Sequence, residues 1–139
     1  MITEVATVFV PVADQEQALA FYTSKLGWEK RSDFEYGNGH RWVEVCPAGA
    51  ANAIALVPPS EGESPGGDIA RCALSSSDIE ADHRALQEAG VDVDPEIAQE
   101  GTARQGLVST DVGVPDPVPA QFFFRDPDGN RFLVVSPPG

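Results

Sequence analysis

The sequence lacks the features that mark several classes of protein. Its 139 residues include only two cysteines, Cys46 and Cys72, which are too few for a disulfide framework and are predicted to be small core residues. No apolar run approaches the ~18 residues of a membrane-spanning helix, and the first residues do not resemble a signal peptide. The length suits one compact domain, residues 1–139. We therefore expect a soluble, single-domain, cytoplasmic protein without a membrane partner.

Basic residues are also scarce. Nine Lys and Arg residues stand against 22 Asp and Glu residues, which leaves a formal charge of −13. Such a charge repels phosphate backbones, so we expect no nucleic-acid partner. It is consistent with a cationic ligand, such as a glycopeptide antibiotic, and equally with an acidic surface that serves solubility or salt adaptation. Phosphate-binding glycine loops, GxSxG elbows and Cys-His nucleophile arrangements are absent, so no catalytic residue is predicted.

The first half of the chain, residues 1–58, reads as one β-α-β-β-β module. Alternating apolar residues predict a strand over 5–12, and Asp14 can cap a helix that Gly27 ends. Strands over 28–36, 41–47 and 52–58 follow, separated by turn residues. Residues 59–68 have the composition of a flexible linker.

The second half, residues 69–139, repeats this order. A strand over 69–75 precedes a helix that Asp78 caps and Gly90 ends, at a shift of about 64 positions from the first module. A turn at Pro127-Asp128-Gly129 leads into a strand over 131–135. The segment 95–118 shows little periodicity, so it either hides a strand near 105–110 or forms a mobile cover over a site.

Two stretches, VPVADQEQALAFYTSKLGWEK and FFFRDPDGNRFLVVSP, are similar to the glyoxalase, bleomycin-resistance and dioxygenase superfamily, also called vicinal oxygen chelate proteins. The resemblance covers nearly the whole chain. It implies an α+β fold in which two tandem βαβββ modules form a curved mixed sheet around one cavity. It also implies a homodimer, either domain-swapped or side by side.

The resemblance further implies where a metal would bind in members that use one. The matching positions are Thr7 on the first strand, Arg71 on the first strand of the second module and Leu133 on the last strand. The matching strand of the first module offers only Ile54, Ala55 and Leu56. A divalent metal needs several imidazole or carboxylate ligands, and a guanidinium repels it. We therefore expect no metal and no other cofactor.

Strand alternation predicts which side chains face the cavity. If Val8, Val10 and Val12 pack under the helix, their neighbours on the strand turn the other way. The same reasoning applies to the other strands, with either Phe123 or the pair Phe122 and Phe124 lining the pocket. The predicted ligand-binding residues are Thr7, Phe9, Trp42, Glu44, Arg71, Ala73, Phe122, Phe124 and Leu133.

Arg71 has three interpretations at this point. It can bind an anionic group of a ligand, neutralise a buried Glu44, or reach solvent from a strand end. His40 and His83 are expected outside the site, as exposed or packing residues.

The leading hypothesis is a small-molecule-binding protein of the glyoxalase and bleomycin-resistance type that lacks the metal site and sequesters a drug or metabolite. One alternative is an enzyme, either a metal-dependent glyoxalase-like lyase or an extradiol-type dioxygenase with displaced ligands. The other is a protein whose cavity is vestigial and whose dimer serves a partner.

Overall fold

The computed structural model describes residues 1–37, 39–58, 64–98 and 119–136. The chain forms two compact units, Met1–Gly66 and Gly67–Gly139. Part of the predicted linker, 59–63, and the strand or cover predicted within 95–118 lie outside the described residues, apart from 95–98. No helix in the described ranges has the length and apolarity needed to cross a membrane.

The first unit is a βαβββ module with a four-stranded sheet. Its elements are β1 (Thr7–Pro11), α1 (Gln15–Ala20) with a π-helical turn (Phe21–Lys25), β2 (Glu29–Tyr36), β3 (His40–Cys46) and β4 (Ala53–Val57). The strand order is β1-β4-β3-β2, in which β1 and β4 are parallel and the other pairs antiparallel. The predicted order of elements is confirmed.

The N-cap and a terminal glycine set the ends of the helical segment that begins with α1, and its apolar residues are buried between them. The Asp14 carboxylate accepts hydrogen bonds from the amides of Glu16 and Gln17 at 2.9 and 3.2 Å, as a helix N-cap requires. Gly27, at φ +70°, ends the helical segment in a conformation that disfavours side chains. Ala18 and Tyr22 are buried between these ends.

One face of the first sheet carries α1. An ion pair of 2.6 Å joins Arg41 on β3 to Glu16 on α1, which places the helix on the same face as the buried Val43 and Val45. Gln15 fixes the contact by donating to the Leu56 carbonyl at 2.8 Å. Residues of the opposite parity therefore lie on the other face of the sheet.

The second unit repeats the topology. Its elements are β5 (Ala73–Ser75), α2 (Ile79–Glu88), β6 (Asp92–Val93), β7 (Gln121–Arg125) and β8 (Arg131–Val135). The strand order is β5-β8-β7-β6, with β5 parallel to β8. The α+β class and the tandem βαβββ modules are thus confirmed.

Strand β5 is shorter than the predicted strand over 69–75. The backbone bends at Asp68, Ile69 and Arg71, and Ile69 is exposed. Regular pairing begins only at Ala73, although the Arg71 amide already donates to the Arg131 carbonyl at 2.7 Å.

Helix α2 packs on one face of the second sheet. Asp78 caps it by accepting from the Ala81 amide at 3.1 Å. The buried His83 contacts Phe122 on β7, with ring centroids 4.9 Å apart. The β7 residues of the opposite parity, including Phe123, lie on the face away from α2.

Candidate functional site

Four of the predicted residues meet on the first sheet, on the face opposite α1. Thr7 and Phe9 alternate along β1, while Trp42 and Glu44 alternate along β3. The pairing of Phe9 with Ala55, and of Ala55 with Glu44, places these strands in register. The ring centroids of Phe9 and Trp42 are 5.9 Å apart at 83°, an edge-to-face contact, yet Phe9 is 60% exposed.

Strand β2 extends this surface with two aromatic residues that the sequence analysis did not select. Phe34 pairs with Trp42 and is 54% exposed, and the Tyr36 ring lies 6.3 Å from Trp42. His40, which was expected outside the site, begins β3 and stacks on Tyr36 of β2, with ring centroids 5.8 Å apart. The alternation of Phe34 and Tyr36 on one strand was the signal that could have identified them. We call the surface of Phe9, Phe34, Tyr36 and Trp42, with Thr7 and Glu44, the aromatic face.

Glu44 supplies a buried negative charge to the aromatic face. The Thr7 hydroxyl donates to its Oε2 at 3.1 Å, and an Arg31 nitrogen lies 3.9 Å from the same oxygen. Burial raises the pKa of Glu44, but hydrogen bonds from Trp42, Thr7 and Ser32 and the charge of Arg31 lower it, and the net pKa lies below its usual value. Glu44 is therefore a carboxylate at neutral pH. Arg31 is its cationic neighbour in this unit, and the predicted pairing with Arg71 stays a prediction.

The second sheet carries both apolar and arginine side chains on the face opposite α2. Ala73, Leu133 and Phe123 are paired across β5, β8 and β7, so they share this face. The Arg131 guanidinium lies over the Phe123 ring, 3.6 Å from its centroid. Arg131 was not among the predicted residues, although alternation from Leu133 places it on the same face. We call the surface of Phe123, Arg125, Arg131 and Leu133 the arginine face.

Phe122 and Phe124 lie on the other face of this sheet. Phe122 packs against His83 of α2, and Phe124 stacks on Phe132 with centroids 5.3 Å apart. Both are almost completely buried. The structure thus places this pair in the core under the helix, and Phe123 is the phenylalanine of the triplet that lies on the arginine face. Packing partners from α2 and β8 decide this, and strand alternation alone does not reveal them.

Arg71 is half-buried and hydrogen-bonded. Its Nε donates to the Asn130 side-chain oxygen at 3.2 Å, and Asn130 is itself held by the Asp126 carboxylate at 2.9 Å. Arg71 therefore belongs to a polar network with Asn130 and Asp126 at the end of the second sheet.

The comparison with protein families agrees with this architecture. The model of the Glyoxalase/Bleomycin resistance protein/Dioxygenase superfamily matches residues 4–134. The chain belongs to this superfamily. The predicted family is thereby confirmed over nearly the whole length of the chain.

Within the superfamily, three relatives are informative. The chain is similar to YetH, an uncharacterized protein of Bacillus subtilis (strain 168), with 28% identity over 136 residues that cover 96% of this chain and 98% of YetH. The chain also resembles the crystal structure of TnmS3, an antibiotic binding protein from Streptomyces sp. CB03234. The two are 32% identical with a TM-score of 0.73, and the match covers 99% of this chain and 98% of TnmS3. The crystal structure of a superfamily member from Sphaerobacter thermophilus DSM 20745 is 33% identical to the chain with a TM-score of 0.80, and the match covers 97% of this chain and 98% of that protein.

Some members of the superfamily use a divalent metal, so we tested the matching positions as ligands. The Thr7 hydroxyl is engaged as a donor to Glu44, Arg71 presents a cation, and Leu133 has no donor atom. In the ranges that the structure describes, no group of three or more His, Cys, Asp or Glu residues could hold a metal ion. These positions do not fit a metal.

Proposed function

We propose that the protein is a cytoplasmic, homodimeric small-molecule-binding protein that works without a metal or other cofactor and sequesters a drug or metabolite on its aromatic face. Membership of the superfamily supports small-molecule binding, and the antibiotic-binding relative TnmS3 favours a drug or drug-like metabolite.

The observation that carries the proposal is the exposure of Phe9. A phenylalanine in a strand normally contributes to stability by being buried, about 1.5–3 kcal/mol for a side chain of this size. Here the ring is 60% exposed, although it contacts Trp42. Phe34, the cross-strand partner of Trp42, is also exposed, so the sheet presents an apolar surface that a flat organic molecule can cover.

Glu44 gives this surface a chemical preference. Its carboxylate lies beside the aromatic rings and is held in its charged form. A ligand with a cationic or hydrogen-bond-donating group next to an apolar ring would satisfy both components, and aromatic rings themselves favour cations. The net charge of −13 acts in the same direction. A cationic antibiotic of the bleomycin type fits this description.

A thermal-shift panel tests the proposal. Bleomycin and other cationic, neutral and anionic aromatic compounds would be added to the purified protein in metal-free buffer. A ligand that binds only the folded state raises the melting temperature according to its concentration and affinity. We expect cationic aromatic compounds to give the largest increases. A panel in which no compound raises the melting temperature would contradict the proposal and favour a vestigial site whose dimer serves a partner.

Matched variants locate the effect. Phe9→Ala removes one ring of the aromatic face, and we expect it to weaken binding of the best compound by about 1–3 kcal/mol. Ile69→Ala, which removes an exposed apolar side chain from the second unit, is the control and should leave binding unchanged. Equal losses in both variants would show that binding does not occur on the aromatic face.

Metal analysis of the same purified protein tests the alternative of a metal-dependent lyase or dioxygenase. Elemental analysis of protein purified without chelator would show stoichiometric nickel, zinc, iron or manganese if the enzyme alternative is correct. We expect substoichiometric amounts.

A further inference from the structure

Strand β2 contains an irregularity beside the aromatic face. Lys30 pairs with Val45, and Ser32 pairs with Glu44. Two steps along β2 therefore match one step along β3, and Arg31 is the extra residue of a β-bulge. Because paired residues point to the same side of a sheet, Ser32 lies with Glu44 on the aromatic face, whereas Lys30 turns to the face of α1. The bulge thus reverses the phase of the strand at Arg31.

The bulge brings the Arg31 guanidinium to Glu44, as bulges commonly redirect one side chain. Its Nη1 donates to the Ala51 carbonyl at 2.9 Å, and its Nη2 lies 3.9 Å from Oε2 of Glu44. The second distance is too long for a hydrogen bond, so the two charges attract each other without a fixed bond. The Arg31 side chain is 38% exposed, against 9% for Glu44, so solvent screens the attraction and it is weak.

The Glu44 carboxylate has room for one more donor. Trp42, Thr7 and Ser32 each donate a hydrogen bond to it, and an ionised carboxylate has about four acceptor positions. At 3.9 Å, Arg31 does not fill the remaining position. A cationic group of a ligand can fill it, but it then approaches the guanidinium, and like charges repel at this range.

We propose that Arg31 is a specificity-determining residue of the aromatic face, an internal counter-ion of Glu44 that the ammonium group of a ligand displaces. That role depends on the function proposed for the aromatic face. When an organic ammonium compound binds, the guanidinium moves towards solvent and the ligand takes the remaining acceptor position on Glu44. Arg31 therefore lowers the affinity of cationic ligands and leaves that of neutral ligands unchanged.

Two compounds that share one ring measure this effect. Tyramine carries an ammonium group at pH 7 where tyrosol carries a hydroxyl group. Each would be titrated into the full-length, ¹⁵N-labelled protein and into Arg31→Gln, with dissociation constants taken from the Trp42 indole N–H signal. We expect the preference for tyramine over tyrosol to rise about fivefold in Arg31→Gln, the change that corresponds to an exposed charge interaction of about 1 kcal/mol. A rise of less than about twofold would overturn the proposal.

Lys30→Gln is the matched control, because it removes the same charge one residue away on β2. Lys30 lies on the other face of the sheet, where its Nζ is 3.4 Å from an Asp33 oxygen. A general electrostatic effect would raise the preference for tyramine in both variants. A counter-ion of Glu44 predicts the rise in Arg31→Gln alone, with Lys30→Gln within about twofold of the parent protein. Equal rises in the two variants would contradict the role of Arg31.

The same titrations separate the role of Arg31 from the function on which it depends. Tyrosol that shifts Trp42 in both proteins, with an unchanged preference for tyramine, would leave binding on the aromatic face intact and overturn the role of Arg31. A purely structural role would give this result too, because loss of the bond to Ala51 would weaken both compounds alike. A Trp42 signal that neither compound moves in either protein would count against the aromatic face itself, and the role of Arg31 would fall with it.

Discussion

At the scale of single residues, the hydroxyl of Thr7 is the contact that ties β1 to the charge of Glu44. The bond is 3.1 Å long, and the carboxylate that accepts it is buried. Replacing Thr7 by valine keeps the β-branched shape and leaves that carboxylate with one donor fewer.

We expect Thr7→Val to lower the free energy of unfolding by about 1–3 kcal/mol, as for loss of a hydrogen bond to a buried charge. It should also raise the pKa of Glu44 towards its ordinary value. Urea denaturation measures the first effect and NMR titration of the carboxyl carbon the second. Thr23→Val is the matched control, because the Thr23 hydroxyl donates only to the Leu19 carbonyl within the helical segment. A larger loss in the control would contradict the role assigned to Thr7.

Asp33 on β2 gives a second prediction at this scale. Both of its oxygens accept from Arg41 at 2.7 Å, and this hydrogen-bonded pair, with a smaller contribution from Lys30, lowers the pKa of Asp33 to about 2. Because the folded state has the lower pKa, the pair stabilises the protein above the unfolded pKa, and this contribution disappears as pH falls towards about 2.

The expected result is that Asp33→Asn lowers stability at pH 7 by about 1 kcal/mol, and that the difference from the parent protein shrinks as pH falls from 5 to 2. Denaturant unfolding over this pH range measures it. A constant difference would show that the charge of Asp33 makes no contribution.

At the scale of elements, the turn before β8 is organised by one carboxylate. Asp126 is buried and accepts from the amides of Asp128 and Asn130 at 2.9 Å, and Gly129 adopts φ +82°. This geometry agrees with the turn predicted at Pro127-Asp128-Gly129. It also holds Asn130, on which Arg71 is anchored.

Asp126→Ala should therefore lower the melting temperature markedly, with a loss of about 2–4 kcal/mol from several hydrogen bonds to one charged group. Differential scanning calorimetry measures it. Asp128→Ala, at the neighbouring turn position, is the control and should cost much less. The reverse order would show that Asp126 does not organise the turn.

The elements also show what the sequence could predict. Alternation of apolar residues was sufficient to predict β1. The capping residues were sufficient to predict where α1 and α2 begin, because Asp14 and Asp78 act locally on their own helices. The length of β5 and the side of the sheet taken by Phe122 and Phe124 were not predictable in this way. They depend on backbone bends before Ala73 and on packing against His83 and Phe132, which are distant in sequence or defined only after folding.

The same distinction between local pattern and tertiary contacts applies to the candidate site residues. Strand parity was enough to predict that Thr7, Phe9, Trp42 and Glu44 share one face of the first sheet, and their role in binding stays a prediction. The position of Arg131 over Phe123 was not predictable in this way, because it depends on the three-dimensional arrangement of Phe123 and Asp68 around it.

At the scale of the whole molecule, the proposed homodimer predicts a mass twice that of the 14.8 kDa chain. Static light scattering at micromolar concentration measures it. We expect a dimer because open sheets leave strand edges and apolar surface that a two-fold partner commonly covers. A monomer would contradict this part of the proposal.

Metal independence predicts that EDTA leaves the melting temperature unchanged within about 1 °C, because a chelator destabilises only a protein that it deprives of a bound ligand. Thermal unfolding with and without EDTA measures it. A decrease of several degrees that one divalent metal reverses would favour the enzyme alternative.

The central claim is that the aromatic face binds a small organic molecule. The chain has two tryptophans, Trp42 on this face and Trp28, which packs on the buried Tyr22 with ring centroids 5.4 Å apart. Their two indole N–H signals in a ¹⁵N spectrum therefore provide a probe and an internal control, assigned by Trp42→Phe. During titration with the compound that raises the melting temperature most, we predict a saturating shift of the Trp42 signal while the Trp28 signal stays in place. Saturating binding that leaves Trp42 unchanged would contradict the claim.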